Sequence, residues 1–410
     1  MISFRSDRIV KAAGASAAVI LFFMVIPIGR ASTLTTLYSF PGGDSQHPCG
    51  ELVTDDAGNF YGTTEGDGWH SKNGTIFKIT PEGQITTIHT FTGEADGKNP
   101  TAGIVRGGDG NFYGTVFGWM GGKPSYGAIF KLTPNGEFTT LHTFSGKDGS
   151  GPEALMQASD GNFYGTTAGG SSKLNGTIFK ITPNGQFTML HALTPQEGKR
   201  PRGPLVEGED GNLYGAAENS SGYGMVFRVT RAGAFAVIHN LDYSEGGYPA
   251  VGLTKGPDAF YGTATDGGKS DEEPQGAGTV FRVRASGELK VLHIFGTGIG
   301  HTGFHPKARL LRASDGRFYG TTERGGAESS TDFGTIFRIA PDGTYSVVYS
   351  FQGDDGRYPR SGLIQTADGA FYGVTSKGGT ADVGAFYKLT VDDTVAPESK
   401  STDNTPESTP

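Results

Sequence analysis

Seven residues that each precede a proline carry most of the side chains that could do chemistry in this chain. They are His47, Asn99, Gly151, Arg200, Tyr248, His305 and Tyr358. Histidine and tyrosine can transfer protons, and arginine binds carboxylates. Proline fixes its own φ and disfavours the helical conformation of the residue before it, so we expect each of these residues to be extended. Similar backbone positions with different side chains indicate a candidate ligand site.

Basic residues cluster beside these junctions, although the chain has a formal net charge of −8. They are Lys199, Arg200, Arg202, Lys307, Arg357 and Arg360. A local positive cluster on an acidic protein favours an anionic ligand. Ordinary solvated loop charge is the alternative. The chain has no basic tract, so we predict that it does not bind nucleic acid.

Both tryptophans, Trp69 and Trp119, lie in predicted loops, where an exposed indole can stack on a ligand. Packing on a neighbouring loop is the alternative. His47, His70, His301 and His305 lie in the same class of loop. The spacing of His301 and His305 is a weak metal signal without nearby acids, so we predict neither a metal nor a cofactor.

The other five histidines, His89, His142, His191, His239 and His293, recur at one position of the repeat described below, which predicts a structural role. Tyr38 and Tyr349 replace histidine at that position. Cys49 is the only cysteine, so no internal disulfide can form. We interpret it as a small residue at the start of a strand; a reactive thiol is the alternative. No standard nucleophile, zinc-protease or phosphate-loop motif is present.

A repeat of about 50 residues positions all these side chains. Its core is Phe/Leu-Tyr-Gly, with tyrosines at 61, 113, 164, 214, 261, 319 and 372. Each unit contains four strand-like runs separated by turn residues such as Asp160-Gly161 and Pro183-Asn184-Gly185. A period of this length with four short antiparallel strands predicts a propeller blade. The fold class is therefore an all-β, seven-bladed β-propeller.

The strand count predicts how the ring closes. The seventh unit ends after its third strand, near Phe386, without a fourth strand behind it. Residues 35–40 match the fourth strand of the first unit, residues 86–91, but precede that unit. We therefore expect the N-terminal strand to complete the last blade, which removes an exposed edge.

Antiparallel connectivity divides the loops between two faces of the ring. The short turns, such as Asp109-Gly110, share one face. The long and variable loops share the other face with the seven residue–proline junctions, and we call this the long-loop face. Variable loops on a rigid scaffold are where binding sites usually lie.

The motif Asp160-Gly161-Asn162-Phe163-Tyr164-Gly165-Thr166-Thr167, followed by Gly176-Thr177-Ile178-Phe179-Lys180, resembles the tandem repeats of GloVer-type secreted bacterial proteins. The resemblance covers about residues 35–390. It implies a propeller-like fold and a location outside the cytoplasm, and it implies no catalytic residues. Known members often carry a C-terminal anchor, whereas residues 391–410 contain no hydrophobic sorting segment.

The two ends of the chain differ in composition from the repeats. Residues 1–31 combine Arg5, Arg8 and Lys11 with an uncharged apolar run, which predicts a signal peptide. An uncleaved anchor is the alternative; after cleavage no membrane span would remain. We expect the propeller to occupy residues 32–390 and the Ser/Thr/Pro-rich acidic segment 391–410 to be disordered. The predicted location is extracellular or periplasmic.

Two functions fit these patterns. The first is a non-catalytic binding or scaffold propeller that recognises carbohydrate or a protein partner on the long-loop face. The second is a polysaccharide lyase acting on a uronate-containing polymer. A lyase needs a base, an acid and a cation that neutralises the carboxylate, and His305, Tyr248, Tyr358, Arg200 and Arg360 have those chemistries. The sequence favours binding.

Overall fold

The computed structural model describes residues 32–67, 73–117, 125–170, 175–219, 222–249, 252–268, 276–296, 303–326 and 332–391. In these ranges the regular secondary structure consists of β-strands, which form seven antiparallel sheets. The predicted seven-bladed β-propeller is confirmed. No helix in this part of the chain has the length and apolar character needed to cross a bilayer.

Each blade has an inner, a second, a third and an outer strand, counted outward from the central channel. The inner strands are Pro48–Thr54, Ile104–Arg106, Ser150–Gln157, Lys199–Glu207, Gly247–Pro249 with Thr254–Lys255, Phe304–Pro306 with Leu311–Arg312, and Ile364–Gln365. The second strands are Phe60–Thr64, Phe112–Val116, Phe163–Gly169, Leu213–Glu218, Phe260–Asp266, Phe318–Arg324 and Phe371–Thr375. The third strands are Thr75–Ile79, Ala128–Leu132, Thr177–Ile181, Met225–Val229, Thr279–Val283, Thr335–Ile339 and Ala385–Thr390. The outer strands are Ile85–Thr90, Phe138–Thr143, Phe187–Ala192, Phe235–Asn240, Leu289–Ile294, Tyr345–Ser350 and Thr33–Ser39.

The N-terminal strand closes the ring as predicted. Thr33–Ser39 pairs antiparallel with Ala385–Thr390, so that Thr33 faces Thr390 and Ser39 faces Ala385. Phe40, directly after this strand, is fully buried and packs edge-on against Phe77 of the first blade. The first and last segments of the propeller therefore belong to one sheet.

The repeated aromatic pair of the second strand joins neighbouring blades. The ring of Tyr113 lies 4.0 Å from the ring of Phe163 in the next blade. Across the closure, Phe60 and Tyr372 are 4.4 Å apart. Aromatic pairs at such distances contribute beyond the area that they bury. Each Phe-Tyr-Gly segment thus contributes its phenylalanine to the interface with the preceding blade and its tyrosine to the interface with the following blade.

The outer-strand histidines are structural. Nε2 of His142 lies 2.9 Å from Oδ2 of Asp148, and the backbone N–H of Ser145 donates to the other oxygen of that carboxylate. The imidazole also stacks on Phe187 of the next blade, with ring centres 3.8 Å apart. Equivalent pairs are His89–Asp96, His191–Glu197 and His239–Glu245, with Tyr349–Asp355 at the same position. Each pair ties an outer strand to the loop that leads to the next blade.

Candidate functional site

The residues before the seven prolines share one backbone conformation, and it is not the expected one. His47, Asn99, Arg200, Tyr248, His305 and Tyr358 have φ between 48° and 55°, and Gly151 has φ 61°. The prediction that they are extended was wrong. Residues other than glycine rarely adopt this left-handed region, so the surrounding structure must impose it.

Hydrogen bonds from adjacent segments supply that constraint. The backbone N–H of Arg200 donates to the Asn175 carbonyl, and the N–H of Tyr358 donates to the Phe333 carbonyl, at 2.6 and 2.8 Å. Both acceptors lie just before the third strand of the preceding blade. The junction backbone is therefore part of the interface between blades, and only its side chain is free to vary.

Two of the predicted site residues use their side chains internally. Nδ2 of Asn99, which is buried, donates to the Glu65 carbonyl at 2.9 Å. Nδ1 of His47 lies 3.0 Å from the Gly66 carbonyl, whereas its buried Nε2 has no partner among the described residues. Burial lowers the pKa of His47, and the charge of Lys377 lowers it further. Both side chains therefore hydrogen-bond to the same stretch of backbone, residues 65–66.

Arg200 belongs to a cluster around a buried carboxylate. Glu218 is only 5% exposed, and Lys199, Arg200 and Arg202 approach it at 3.9, 3.9 and 3.3 Å. One carboxylate cannot neutralise three cations, and the Arg200 side chain remains 59% exposed. We call these four residues the Glu218 cluster. It presents excess positive charge to solvent.

Arg360 belongs to a similar cluster around Glu323, which is 6% exposed. Lys307 and Arg360 contact its two oxygens at 2.5 and 2.6 Å. Burial alone would raise the pKa of Glu323, but these two cations lower it below its ordinary value. The Glu323 carboxylate is therefore ionised and leaves one positive charge in excess.

The remaining predicted residues are spread around the same face. Tyr248 is 48% exposed. His305 faces Asp266, with Nε2 and Oδ1 3.4 Å apart. The guanidinium groups of Arg324 and Arg357 lie 5.6 and 5.4 Å from the centre of the Tyr358 ring, and Arg357 also pairs with Asp382. Trp69, Trp119, His70 and His301 lie outside the described residues, as do residues 1–31 and 392–410.

A cavity of about 550 Å³ occupies the central channel. Its charged lining consists of Glu51, Glu153, Arg202, Arg309 and Arg360. The junction residues Tyr248, His305 and Tyr358 do not line it. The candidate site thus has a charged channel at its centre, with the proton-transferring side chains placed outside that lining.

One ion pair lies along the wall of the channel. Nε and Nη2 of Arg309 donate to the two carboxylate oxygens of Glu51 at 2.9 and 2.6 Å. The pair passes blade 7 at Gly362, where an added Cβ would lie 3.2 Å from the Glu51 side chain. A glycine at this position leaves room for the pair.

Glu153 differs from the other channel carboxylates because no hydrogen bond or ion pair joins it to any described side chain or backbone N–H. Burial raises the pKa of Glu153, and only the charge of Arg202 on the next blade opposes that effect. An unpaired carboxylate inside a cavity is available to accept hydrogen bonds from a ligand.

Sequence reasoning missed the channel residues Glu51, Glu153 and Arg309. It also missed the buried Glu218 and Glu323, although the repeat contains a signal for these two. Glu65, Glu218 and Glu323 occupy the same repeat position, four residues after the repeat tyrosine, where other blades carry Phe117, Ala168, Thr265 and Ser376. This position varies around the ring in the way that the junction residues do.

Cys49, the only cysteine of the chain, has a hydrogen-bonded thiol with a raised pKa. The Cys49 thiol donates to the Pro100 carbonyl at 3.2 Å, and burial raises its pKa to about 12. A thiol held in this way is a poor nucleophile. Within the described ranges, no three His, Cys, Asp or Glu side chains are grouped as metal ligands.

A family model described as the Gloeobacter/Verrucomicrobia repeat matches residues 21–118, 57–273 and 269–409. The chain belongs to this family. The predicted resemblance is confirmed, and the repeat of the Gloeobacter/Verrucomicrobia family is one four-stranded propeller blade in this structure. No curated protein sequence matches the chain.

Solved structures resemble this chain at low identity. The extracellular domain of a hybrid two-component system from B. thetaiotaomicron is 10% identical, with a TM-score of 0.56; the match covers 87% of this chain and 39% of the other. A gluconolactonase from Xanthomonas campestris is 11% identical, with a TM-score of 0.47 and coverage of 88% and 90%. A calcium-binding protein, regucalcin, from Agrobacterium tumefaciens is 15% identical, with a TM-score of 0.45 and coverage of 72% and 90%. These likenesses concern the fold alone.

Proposed function

We propose that this protein is an extracellular binding propeller that recognises an acidic carbohydrate on its long-loop face. The excess positive charge of the Glu218 cluster carries the proposal. Arginine guanidinium groups bind carboxylates through two parallel hydrogen bonds, and Arg200 and Arg202 have exposed side chains at the channel entrance. The buried Glu218 holds these cations in place before a ligand arrives.

The same geometry supports binding over a lyase activity. A lyase base must reach the α-proton of a uronate that a cation already holds. His305 is paired with Asp266, and the Tyr358 ring lies against two guanidinium groups. Neither of these residues nor Tyr248 lines the channel with Arg202 and Arg360, so the candidate bases and acids lie outside the lining that holds those cations.

Affinity electrophoresis through polygalacturonate and through neutral galactan tests the proposal. We expect retardation by polygalacturonate that weakens with added salt. The double variant Arg200→Ala/Arg360→Ala should lose most of this retardation. The double variant Arg284→Ala/Arg317→Ala, which removes two positive charges from the short-turn face, is the matched control. Equal retardation of all three proteins would contradict the proposal.

The tryptophans offer a separate test of neutral sugars. If galactan retards the protein without salt dependence, Trp69→Ala and Trp119→Ala should abolish that effect, because indole stacking does not depend on charge. The lyase alternative is tested on the same samples by the ultraviolet absorbance of unsaturated uronate products, which we expect to stay constant.

A further inference from the structure

The side chains that line the central channel change from charged to mainly apolar between the entrance and the interior. The upper level of the channel, one residue after the junction prolines, carries Glu153, Arg202 and Arg360. The Glu51–Arg309 pair lies two residues further along the inner strands. Beyond it the lining becomes mainly apolar, with Val53, Val105, Met156 and Ile364 beside the polar Gln157. The channel is therefore divided into a charged compartment at its entrance and an apolar one below.

Glu153 and Arg202 lie at the same level of the channel on neighbouring blades, one a hydrogen-bond acceptor and the other a cation. Arg202 donates to Glu218 at 3.3 Å, yet its side chain is 46% exposed and retains unused N–H groups. No ion pair joins it to Glu153. A ligand that placed an anionic group on Arg202 and a hydrogen-bond donor on Glu153 would satisfy both. A uronic acid has this combination, because its ring hydroxyls lie beside its carboxylate.

The dimensions of the cavity favour one end of a glycan chain over its middle. A volume of about 550 Å³ suits a small ligand. Glu51 and Arg309 pair along the channel wall over Gly362, and the lining below them is mainly apolar, so the hydroxyl groups of a glycan would find few hydrogen-bond partners there. We therefore expect a chain to enter by a terminal residue and not to pass through.

We infer that the channel binds the terminal uronate residue of an acidic glycan, with its carboxylate on Arg202 and a ring hydroxyl donating to Glu153. This inference rests on the proposed function and adds the part of the glycan that is recognised. The Glu218 cluster then contacts the residues that follow the terminus, outside the channel.

Isothermal titration calorimetry with galacturonate, trigalacturonate and polygalacturonate tests the inference. We expect wild-type protein to bind all three, with one binding site per chain for the trisaccharide. Glu153→Gln should weaken binding of the monosaccharide about tenfold, because the amide replaces one of the two acceptor oxygens with a donor. Glu209→Gln, the same change on an exposed turn of the opposite face, should leave it unchanged.

A channel-filling variant separates this inference from the proposed function. Thr101 is exposed and lines the channel, so Thr101→Trp should block the cavity while the melting temperature stays near that of the wild type. Loss of all binding would support end-on recognition. If polygalacturonate still binds and only Arg200→Ala weakens it, the inference is wrong and the proposed function stands. If wild-type protein binds no uronate, both are wrong.

Discussion

Glu51 and Arg309 are 258 positions apart in the sequence, yet they form an ion pair with two hydrogen bonds inside the channel. The charge of Glu51 raises the pKa of Arg309, and burial of the guanidinium only partly opposes this. The pair couples blade 6 to blade 1 past blade 7, the blade that contains the closing strand.

Arg309→Met should lower the free energy of unfolding by about 1–2 kcal/mol, because it leaves Glu51 unpaired in the channel. Roughly a third of each side chain is exposed to channel water, which limits the effect. The double variant Glu51→Gln/Arg309→Met should recover most of the loss. Urea unfolding measures this cycle, and additive effects of the two changes would contradict the coupling.

Deletion of residues 33–41 should cause aggregation or a large fall in melting temperature, because it exposes the third strand of blade 7 as an unpaired edge. Deletion of residues 392–410 is the control, and its melting temperature should match that of the intact chain. A monomeric N-terminal deletion with unchanged melting would contradict closure by this strand.

Gly165→Val should destabilise the protein by about 2 kcal/mol or more. A Cβ at Gly165 would lie 2.6 Å from the Phe179 ring and 2.9 Å from Leu155, both in the core of the blade. At Gly108, where an added Cβ meets only the tip of Gln157 at 3.7 Å, alanine should be tolerated. Thermal unfolding followed by circular dichroism compares the two variants, and similar stability would show that the repeat glycine is not required for packing.

His293 should make the stability of the propeller sensitive to acid. Burial lowers its pKa from 6.5 to about 4, and its Nε2 has no partner among the described residues. Between these values the unfolded chain binds a proton that the folded state does not, so stability falls as the pH drops from 6.5 to 4. His293→Phe should remove up to about 3 kcal/mol of this loss and leave stability near pH 8 largely unchanged. Identical pH profiles of unfolding would exclude His293 as the cause.

The sequence allowed prediction of the blade number, the strand order and the closing strand, because a 50-residue period and the matching of residues 35–40 are properties of the chain itself. The conformation of residues such as Arg200 could not be predicted from the following proline. A hydrogen bond to Asn175 in the preceding blade overrides that local preference.

The channel site was equally inaccessible to sequence reasoning. Glu51 and Arg309 meet only because the ring closes, and no local motif marks Glu153. The histidines were easier to classify, since repetition at one position identified the outer-strand set as structural. The acids that pair with four of them lie six or seven residues further along the chain and could have been found by the same alignment of repeats.

The pairing of Thr33–Ser39 with Ala385–Thr390 also determines the order in which the molecule can be completed during synthesis. The strand that leaves the ribosome first among the propeller strands has a partner that leaves it last. Six blades can form from contiguous segments as they emerge, while the first strand waits without a neighbour. The ring therefore becomes a single cooperative unit only after the whole propeller has been translated, and a product that ends before Ala385 leaves Thr33–Ser39 without its partner strand.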